Sequence, residues 1–393
     1  MLGSATPNPS IVTSTGGPCP KGHFCRNGTS HPLGCRAGTY NPNVGEENCF
    51  PCLSGYYCPE NSTHLSHPCP LGHYCPNGTK YQDEFPCPKG HFNNKTMGHT
   101  VLDCLPCTPG YYCDTRGLKK PSGKCAAGWY CVSGAYVDMP MDLDNFTSGD
   151  CVCPSNATGG ECPPGSYCPL GSEYPVLCTG GFYCEGTRNS NVTALCSPGY
   201  FCAKGAWRSK PDDGITGDIC PRGRYCPRGT QIPFTCKRGT FSNSTGNYKE
   251  SQCRNCTAGS YCEVPGLSST SGLCLPGFYC PPGQFSKVAI PCTSGHYCGR
   301  GSPGPIKCQS GTYQDEMQQS NCKVCPSGYY CGSKNDLSDF SPYLCPRGYF
   351  CPNGTRFATE FGCPKGTYGN RSQLTNGDQC LPCPPGKYCK GLW

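Results

Sequence analysis

Residues 69–113 run Cys69-Pro70-Leu71-Gly72-His73-Tyr74-Cys75, then Cys87-Pro88-Lys89-Gly90-His91-Phe92, then Cys104-Leu105-Pro106-Cys107-Thr108-Pro109-Gly110-Tyr111-Tyr112-Cys113. The first and last of these are one heptapeptide: two cysteines six apart, glycine fourth, an aromatic sixth. Closing so small a ring needs a chain reversal, and glycine takes positive φ there without steric cost. A proline after the first cysteine pre-sets the turn. The aromatic is the neighbour of the second cysteine, and neighbours in extended backbone point to opposite faces. Tyr74 should therefore face away from the Cys75 sulfur. The aromatics are expected to form a stacking ladder between modules.

The heptapeptide Cys-x-x-Gly-x-(Tyr/Phe)-Cys occurs fifteen times. It pairs Cys19 with Cys25, Cys52 with Cys58, Cys69 with Cys75, Cys107 with Cys113 and Cys125 with Cys131. It continues with Cys162 and Cys168, Cys178 and Cys184, Cys196 and Cys202, Cys220 and Cys226, Cys256 and Cys262. Cys274 and Cys280, Cys292 and Cys298, Cys325 and Cys331, Cys345 and Cys351, and Cys383 and Cys389 complete the set. Each is expected to close as a tight loop. Five looser elements begin Cys-x-x-Gly-x-(Tyr/Phe) and reach a Cys-x-x-Cys only after 13–16 residues. Their expected wide loops join Cys35 to Cys49, Cys87 to Cys104, Cys236 to Cys253, Cys308 to Cys322 and Cys363 to Cys380. Cys151 and Cys153 fit neither form. Two cysteines separated by one residue rarely bond each other, so their pairing stays open, a bridge to another chain included.

A longer period emerges from the order tight, wide, tight. It divides the chain into a polar linker (1–18), two six-cysteine units (19–113), a divergent cysteine-rich middle (114–219) and a third unit (220–262). A linker with a single tight loop (263–291), two further units (292–389) and a tail (390–393) follow. The Ser/Gly-rich stretch 266–272 and residues 203–219 read as flexible joints.

Composition says what must hold such a chain together. Cysteine is 42 of 393 residues, beside 54 glycines and 42 prolines. So few Leu, Ile, Val and Phe cannot offset the ordering entropy of this length. A cysteine content above about 8–10% marks a disulfide scaffold. In the chain-entropy picture each tight ring contributes about 2.4 kcal/mol and each wide one about 3. An even number of cysteines kept as cross-links requires an oxidising compartment. The expected location is therefore extracellular or at the cell surface, by the secretory pathway.

Eleven Asn-x-Ser/Thr acceptors agree with that location: Asn27, Asn61, Asn77, Asn94, Asn145, Asn156, Asn191, Asn243, Asn255, Asn353 and Asn370. Covalent N-linked glycans are expected, and no other cofactor. Asn27, Asn77 and Asn353 share the sequence Cys-x-Asn-Gly-Thr, so a sugar at these equivalent places should mark one outer edge. Asn255 lies between Cys253 and Cys256, where disulfide closure competes with the transferase. Residues 1–15 lack an apolar signal region, and no run approaches the roughly 20 apolar residues of a membrane span. The chain reads as a segment of a longer precursor or a processed form.

Other chemistry fits less well. The five Cys-x-x-Cys pairs resemble zinc half-sites, but each is embedded in the regular loop series. A redox role lacks a βαβ setting. His23, His73, His91 and His296 occupy one variable slot between the glycine and the aromatic, as turn residues would. No nucleophile motif or phosphate loop is present, and an enzyme is not expected. Asp138, Asp142, Asp144 and Asp150 cluster without a calcium-loop spacing. Arg222, Arg224, Arg228, Lys237 and Arg238 form a basic run in a chain of net charge +7, read first as a solvated face and alternatively as an electrostatic seat for an acidic polysaccharide or an acidic neighbouring subunit. Nucleic acid is not an expected partner outside the cell.

The combined pattern, Cys-Pro-x-Gly-(Thr/His)-(Tyr/Phe), a spacer, then Cys-x-x-Cys-x-x-Gly-x-(Tyr/Phe)-Cys, resembles the ephrin-receptor-like cysteine-rich repeat family, related to growth-factor-receptor and TNF-receptor modules. The likeness runs over most of 19–389 and is weakest at 132–161. It implies extracellular, non-catalytic, elongated modules of the kind found in receptor ectodomains, matrix proteins and protist or algal surface proteins. Its short repeat is closest in style to flagellar-hair or surface proteins of unicellular eukaryotes.

The expected fold is thus a tandem of small disulfide-rich modules, a rod or solenoid-like array with little helix and only short β-hairpins. Its expected role is structural, in a filament, flagellar hair, coat or matrix, with homopolymer or other extracellular subunits as partners. The competing expectation is a receptor-type ectodomain for a protein or carbohydrate ligand. Its candidate surface would be 132–161, with Trp129 and Tyr136 nearby.

Overall fold

The computed structural model describes residues 16–65, 67–141, 157–334 and 336–390. All fifteen heptapeptides close on themselves, with Cα separations of 5.8–6.2 Å. In the first half Cys25 bonds Cys19, Cys58 bonds Cys52, Cys75 bonds Cys69, Cys113 bonds Cys107 and Cys131 bonds Cys125. Through the middle Cys168 bonds Cys162, Cys184 bonds Cys178, Cys202 bonds Cys196, Cys226 bonds Cys220 and Cys262 bonds Cys256. Beyond it Cys280 bonds Cys274, Cys298 bonds Cys292, Cys331 bonds Cys325, Cys351 bonds Cys345 and Cys389 bonds Cys383.

The five looser elements close at 5.7–5.9 Å, within the range a disulfide spans without backbone movement. Here Cys49 bonds Cys35, Cys104 bonds Cys87, Cys253 bonds Cys236, Cys322 bonds Cys308 and Cys380 bonds Cys363. No described bridge is staggered between modules. Cys151 and Cys153 lie outside the described residues, as do Asn145 and Asn156.

Regular structure is minimal. Among the described residues there is no α-helix, and the strands are two or three residues long, paired into fifteen two-stranded antiparallel ladders. Each ladder joins the aromatic end of one module to the residues just before the next cysteine: Thr39–Tyr40 pairs with Phe50–Pro51, and Arg224–Tyr225 with Phe234–Thr235. Ladders this short do not stand alone in water. Two devices fix them, the disulfides and a backbone clasp.

The clasp is built on the module glycine. Gly38 donates its N–H to the Cys58 carbonyl at 2.8 Å and accepts from the Cys52 N–H at 2.9 Å, so both ends of the next ring are gripped. Gly90 does the same with Cys113 (2.9 Å) and Cys107 (2.7 Å). Further along, Gly311 repeats it with Cys331 (2.8 Å) and Cys325 (2.9 Å). The turn after each module then reaches back. Gly78 donates to the Cys52 carbonyl at 2.8 Å, while Cys58 donates to the Thr79 carbonyl at 3.0 Å. A Cβ added to Gly38 would stand 2.5 Å from the Gly78 carbonyl oxygen, two modules on. Contact therefore extends to the second neighbour along the chain. The glycine is required twice, by its φ of +88° and by that approach.

In the wide elements the place of the second cysteine is taken by Asn41, Asn93, Ser242, Gln314 and Gly369. The first four are buried, and a buried polar group must be hydrogen-bonded. Asn41 donates to the His23 carbonyl (2.6 Å) and accepts from the Asn43 N–H (3.0 Å). Asn93 repeats the arrangement with His73 and Lys95, both at 3.0 Å. Gln314 bonds Asn321 and Glu316, and Ser242 accepts from Asn247. At Gly369 there is no side chain, and fully buried Leu374 packs nearby against Cys363 and Cys380. Three wide loops separate their cysteines by 17 positions and two by 14. The three extra residues make one 3-10 turn just before the closing cysteine, at Val101–Asp103, Glu250–Gln252 and Gly377–Gln379.

Very little apolar material is enclosed. Apart from cysteine, the buried apolar side chains among the described residues are Phe92, Ala135, Ala206, Leu337 and Leu374, with Pro140 and Pro211. The chain is a tandem of small disulfide-rich modules whose interior is largely sulfur. Backbone contacts group it into two compact units, residues 1–195 with 203–209, and 196–202 with 210–393. The division falls inside the divergent middle. Residues 266–272, expected to be a loose joint, are tied down instead. Gly266 donates to the Cys236 carbonyl (2.8 Å), the Glu263 N–H to Ser271 Oγ (3.0 Å), and Gly272–Leu273 pairs with Ser260–Tyr261. Composition marked a linker, but the reach-back turn uses the same small residues.

Candidate functional site

The described acceptor asparagines, Asn27, Asn61, Asn77, Asn94, Asn191, Asn243, Asn255, Asn353 and Asn370, are all exposed. They fall into sets by place in the repeat. Asn77 and Asn353 sit on the reach-back turn. Their Oδ1 atoms accept from the N–H of Ser54 and of Ser327, each at 2.8 Å, in the glycine turn of the preceding module. Asn94, Asn243 and Asn370 each stand seven residues after the first cysteine of a wide loop and directly follow its seventh residue, which is buried at Asn93 and Ser242. That register is visible in the sequence once the wide elements are aligned on their first cysteine, but the equivalence of Asn27, Asn77 and Asn353 is the more conspicuous one. Asn61 occupies the turn position usually held by glycine, at φ +59°. Asn255 lies in a two-residue strand paired with Thr240–Phe241.

The aromatics do not form the expected ladder from module to module. Most ring contacts are instead with the cross-strand partner, a residue two places before the next cysteine. Tyr225 lies 5.6 Å from Phe234, Phe350 5.8 Å from Phe361, and Tyr57 5.2 Å from His67, all stacked. The reason is the hairpin register, which sets these side chains opposite one another. A three-ring run occurs where Phe340 meets Tyr313 at 4.6 Å and Tyr329 at 4.9 Å over buried Leu337.

The basic run is partly spent within the fold. Lys237 pairs with Glu250 at 3.4 Å. Arg238 donates to the Glu263 carbonyl (3.3 Å) and lies 4.8 Å from the Phe285 ring centre. Arg224 donates to the Pro233 carbonyl at 3.3 Å. Arg222 and Arg228 stand exposed, and Arg228 borders an open depression lined by Pro227 to Thr235 that includes exposed Ile232 and Phe234.

The four histidines of the variable slot act locally. Nδ1 of His23, His73, His91 and His296 lies 3.1–3.3 Å from the carbonyl two residues earlier, so each ring closes its own turn. The sulfurs of each Cys-x-x-Cys belong to different bridges: Cys49 closes on Cys35, Cys52 on Cys58. Of the aspartates considered for calcium, Asp138 is described, and its carbonyl accepts from Ala126 at 2.9 Å.

Near the divergent middle, Trp129 is half-buried against Cys125, Cys131 and Ala135, so it is no free aromatic anchor. Arg188 covers its ring at 5.1 Å and hydrogen-bonds Glu161, which holds that carboxyl below the usual carboxylate range. Tyr136 is exposed.

No family model matches the chain. It is 25% identical over 309 residues to Cysteine repeat modular protein A of Toxoplasma gondii, covering 63% of this chain and 9% of that protein. Over 138 residues it is 33% identical to ABC transporter G family member 25 of Oryza sativa subsp. japonica (33% of this chain, 12% of that one). Over 103 residues it is 34% identical to the ABC-type transporter claG of Penicillium crustosum (25% and 12%). The chain thus spans about a tenth of the length of each relative. No helix among the described residues is long and apolar enough to cross a membrane. The disulfide-bonded tandem and the likeness to a cysteine repeat modular protein make this a cysteine-rich repeat protein of the secreted or extracellular kind.

Proposed function

We propose that the chain is a non-catalytic, N-glycosylated structural element of an extracellular filament, hair, coat or matrix, assembling with copies of itself or with other extracellular subunits. The observation that carries this reading is the uniformity of the clasp. The same glycine, ring and turn recur through both units, and the polar side chains the chain buries serve to continue that pattern. A surface built for one ligand concentrates aromatic or arginine anchors at one place, whereas Trp129 is half-buried against its own module and most of the basic run is internally bonded. The likeness of the short repeat to flagellar-hair or surface proteins of unicellular eukaryotes supports the same reading. Exposed Arg222 and Arg228 supply a seat for an acidic polysaccharide of the surrounding matrix. Negative-stain micrographs of native material test the reading: regular fibres or ordered coats are expected. Isolated monomers that bind one ligand saturably would replace it with the receptor reading.

A further inference from the structure

The turn that carries Asn77 and Asn353 closes its own acceptor sequence. In Asn77-Gly78-Thr79, Thr79 is 1% exposed and donates its hydroxyl to the Pro76 carbonyl at 2.6 Å. Gly78 N–H is held by the Cys52 carbonyl, the Thr79 carbonyl by the Cys58 N–H, and Asn77 Oδ1 by the Ser54 N–H. In Asn353-Gly354-Thr355 the copy is faithful: Thr355 is 1% exposed, donates to Pro352 at 2.7 Å, and the Cys325, Cys331 and Ser327 backbones hold the rest. What remains exposed is the asparagine itself. Wide-loop acceptors differ, because Thr96, Thr245 and Ser372, the hydroxyl residues that go with Asn94, Asn243 and Asn370, are exposed.

Glycan transfer needs the hydroxyl residue and a tripeptide free to bend into the transferase. The reaction joins Asn Nδ2 to the anomeric carbon of a polyprenyl-pyrophosphate-linked oligosaccharide. It breaks that carbon's bond to the pyrophosphate oxygen, which leaves with the electron pair, and passes one amide proton to a base of the transferase. The amide Oδ1 survives and still accepts.

We infer that Asn77 and Asn353 are glycosylated only before their modules close, whereas Asn94, Asn243 and Asn370 remain open to transfer in the folded chain. The sugar at Asn77 or Asn353 is afterwards held at the seam between modules, because its amide oxygen still accepts from the Ser54 or Ser327 N–H. Folding order thus decides occupancy at the seam, and a cell that oxidises the chain early leaves those two sites bare.

This deepens the reading of the chain as a glycoprotein, and the test separates the two. Sugar-free folded chain from an oxidising host without N-glycosylation, and the same chain reduced and unfolded, are each given purified oligosaccharyltransferase and the lipid-linked donor. Occupancy is read by glycopeptide mass spectrometry. In the folded chain, labelling at Asn77 and Asn353 is expected to be at least tenfold below that at Asn94, Asn243 and Asn370, and reduction should bring all five level. Equal labelling of both sets on the folded chain, or none in either, overturns the inference. Asn77 and Asn353 staying bare on the reduced chain overturns it too, since the block would then lie in the local sequence. A reduced chain that takes no sugar at any site removes the glycoprotein reading itself.

Discussion

Gly38 and Gly78 are the two sides of one contact, and substituting each by alanine separates two costs that most glycine mutations mix. Both have positive φ, +88° and +83°. A Cβ on Gly78 would meet nothing within 4 Å, whereas one on Gly38 would meet the Gly78 carbonyl oxygen at 2.5 Å. Alanine in the left-handed region costs about 1–2 kcal/mol. Forcing an atom into a closed contact adds about 1–3 kcal/mol. Gly78→Ala should therefore loosen its site by about 1–2 kcal/mol and Gly38→Ala by about 2–5 kcal/mol. Global unfolding is a poor gauge in a long tandem array, whose modules need not unfold together. Native-state hydrogen exchange of the clasp amides of Gly38 and Cys52 reports local opening directly. At 1.4 kcal/mol per tenfold, Gly38→Ala should speed exchange there by roughly two to three orders of magnitude, and Gly78→Ala by roughly one. Equal effects from both substitutions would refute the close approach and leave φ as the sole reason for the glycine.

Other outcomes follow from the same geometry. Asn41→Ala leaves the His23 carbonyl and the Asn43 N–H without partners, and should lower local stability by about 1–3 kcal/mol, read by exchange at Asn43. Gln318 holds positive φ at a turn position where glycine is usual, so Gln318→Gly should stabilise that turn by up to about 1 kcal/mol, measured as slower exchange of its own amide. Asp103 is held below the usual carboxylate value first by the Thr100 N–H, then by that of His99, against a small opposing effect of burial. A depressed folded value means its contribution is present above the unfolded value of about 3.8 and is lost as pH falls through the lower folded one. The Thr100 amide shift should titrate below that value, and a midpoint at or above it would contradict those two hydrogen bonds.

The ring closures, the poverty of regular structure and the oxidising compartment were legible because cysteine spacing and glycine placement are local constraints. A seven-residue loop has few ways to close. The buried polar seventh residue was not legible as such. Asn41, Asn93, Ser242 and Gln314 look like loop residues until the backbone of the preceding module supplies their partners. The direction of the aromatics was misread for a similar reason. Alternation along the strand gives the face, but the register of the hairpin decides that Tyr225 meets Phe234 rather than the next module's ring. Likewise Gly266 to Gly272 has the composition of a linker, and only the Gly266 to Cys236 hydrogen bond shows it in use. Glycine-like positions held by Asn61, Met97, Arg188, Gln318 and Gln373 escaped notice because no glycine marks them.

The central claim is that sulfur bridges, with hardly any apolar interior, hold the chain in shape. Amide exchange and proteolysis should be followed on the purified chain before and after complete reduction and alkylation. Protection of the clasp amides and resistance to cleavage are expected to disappear together. Their survival in the fully alkylated chain would contradict the account.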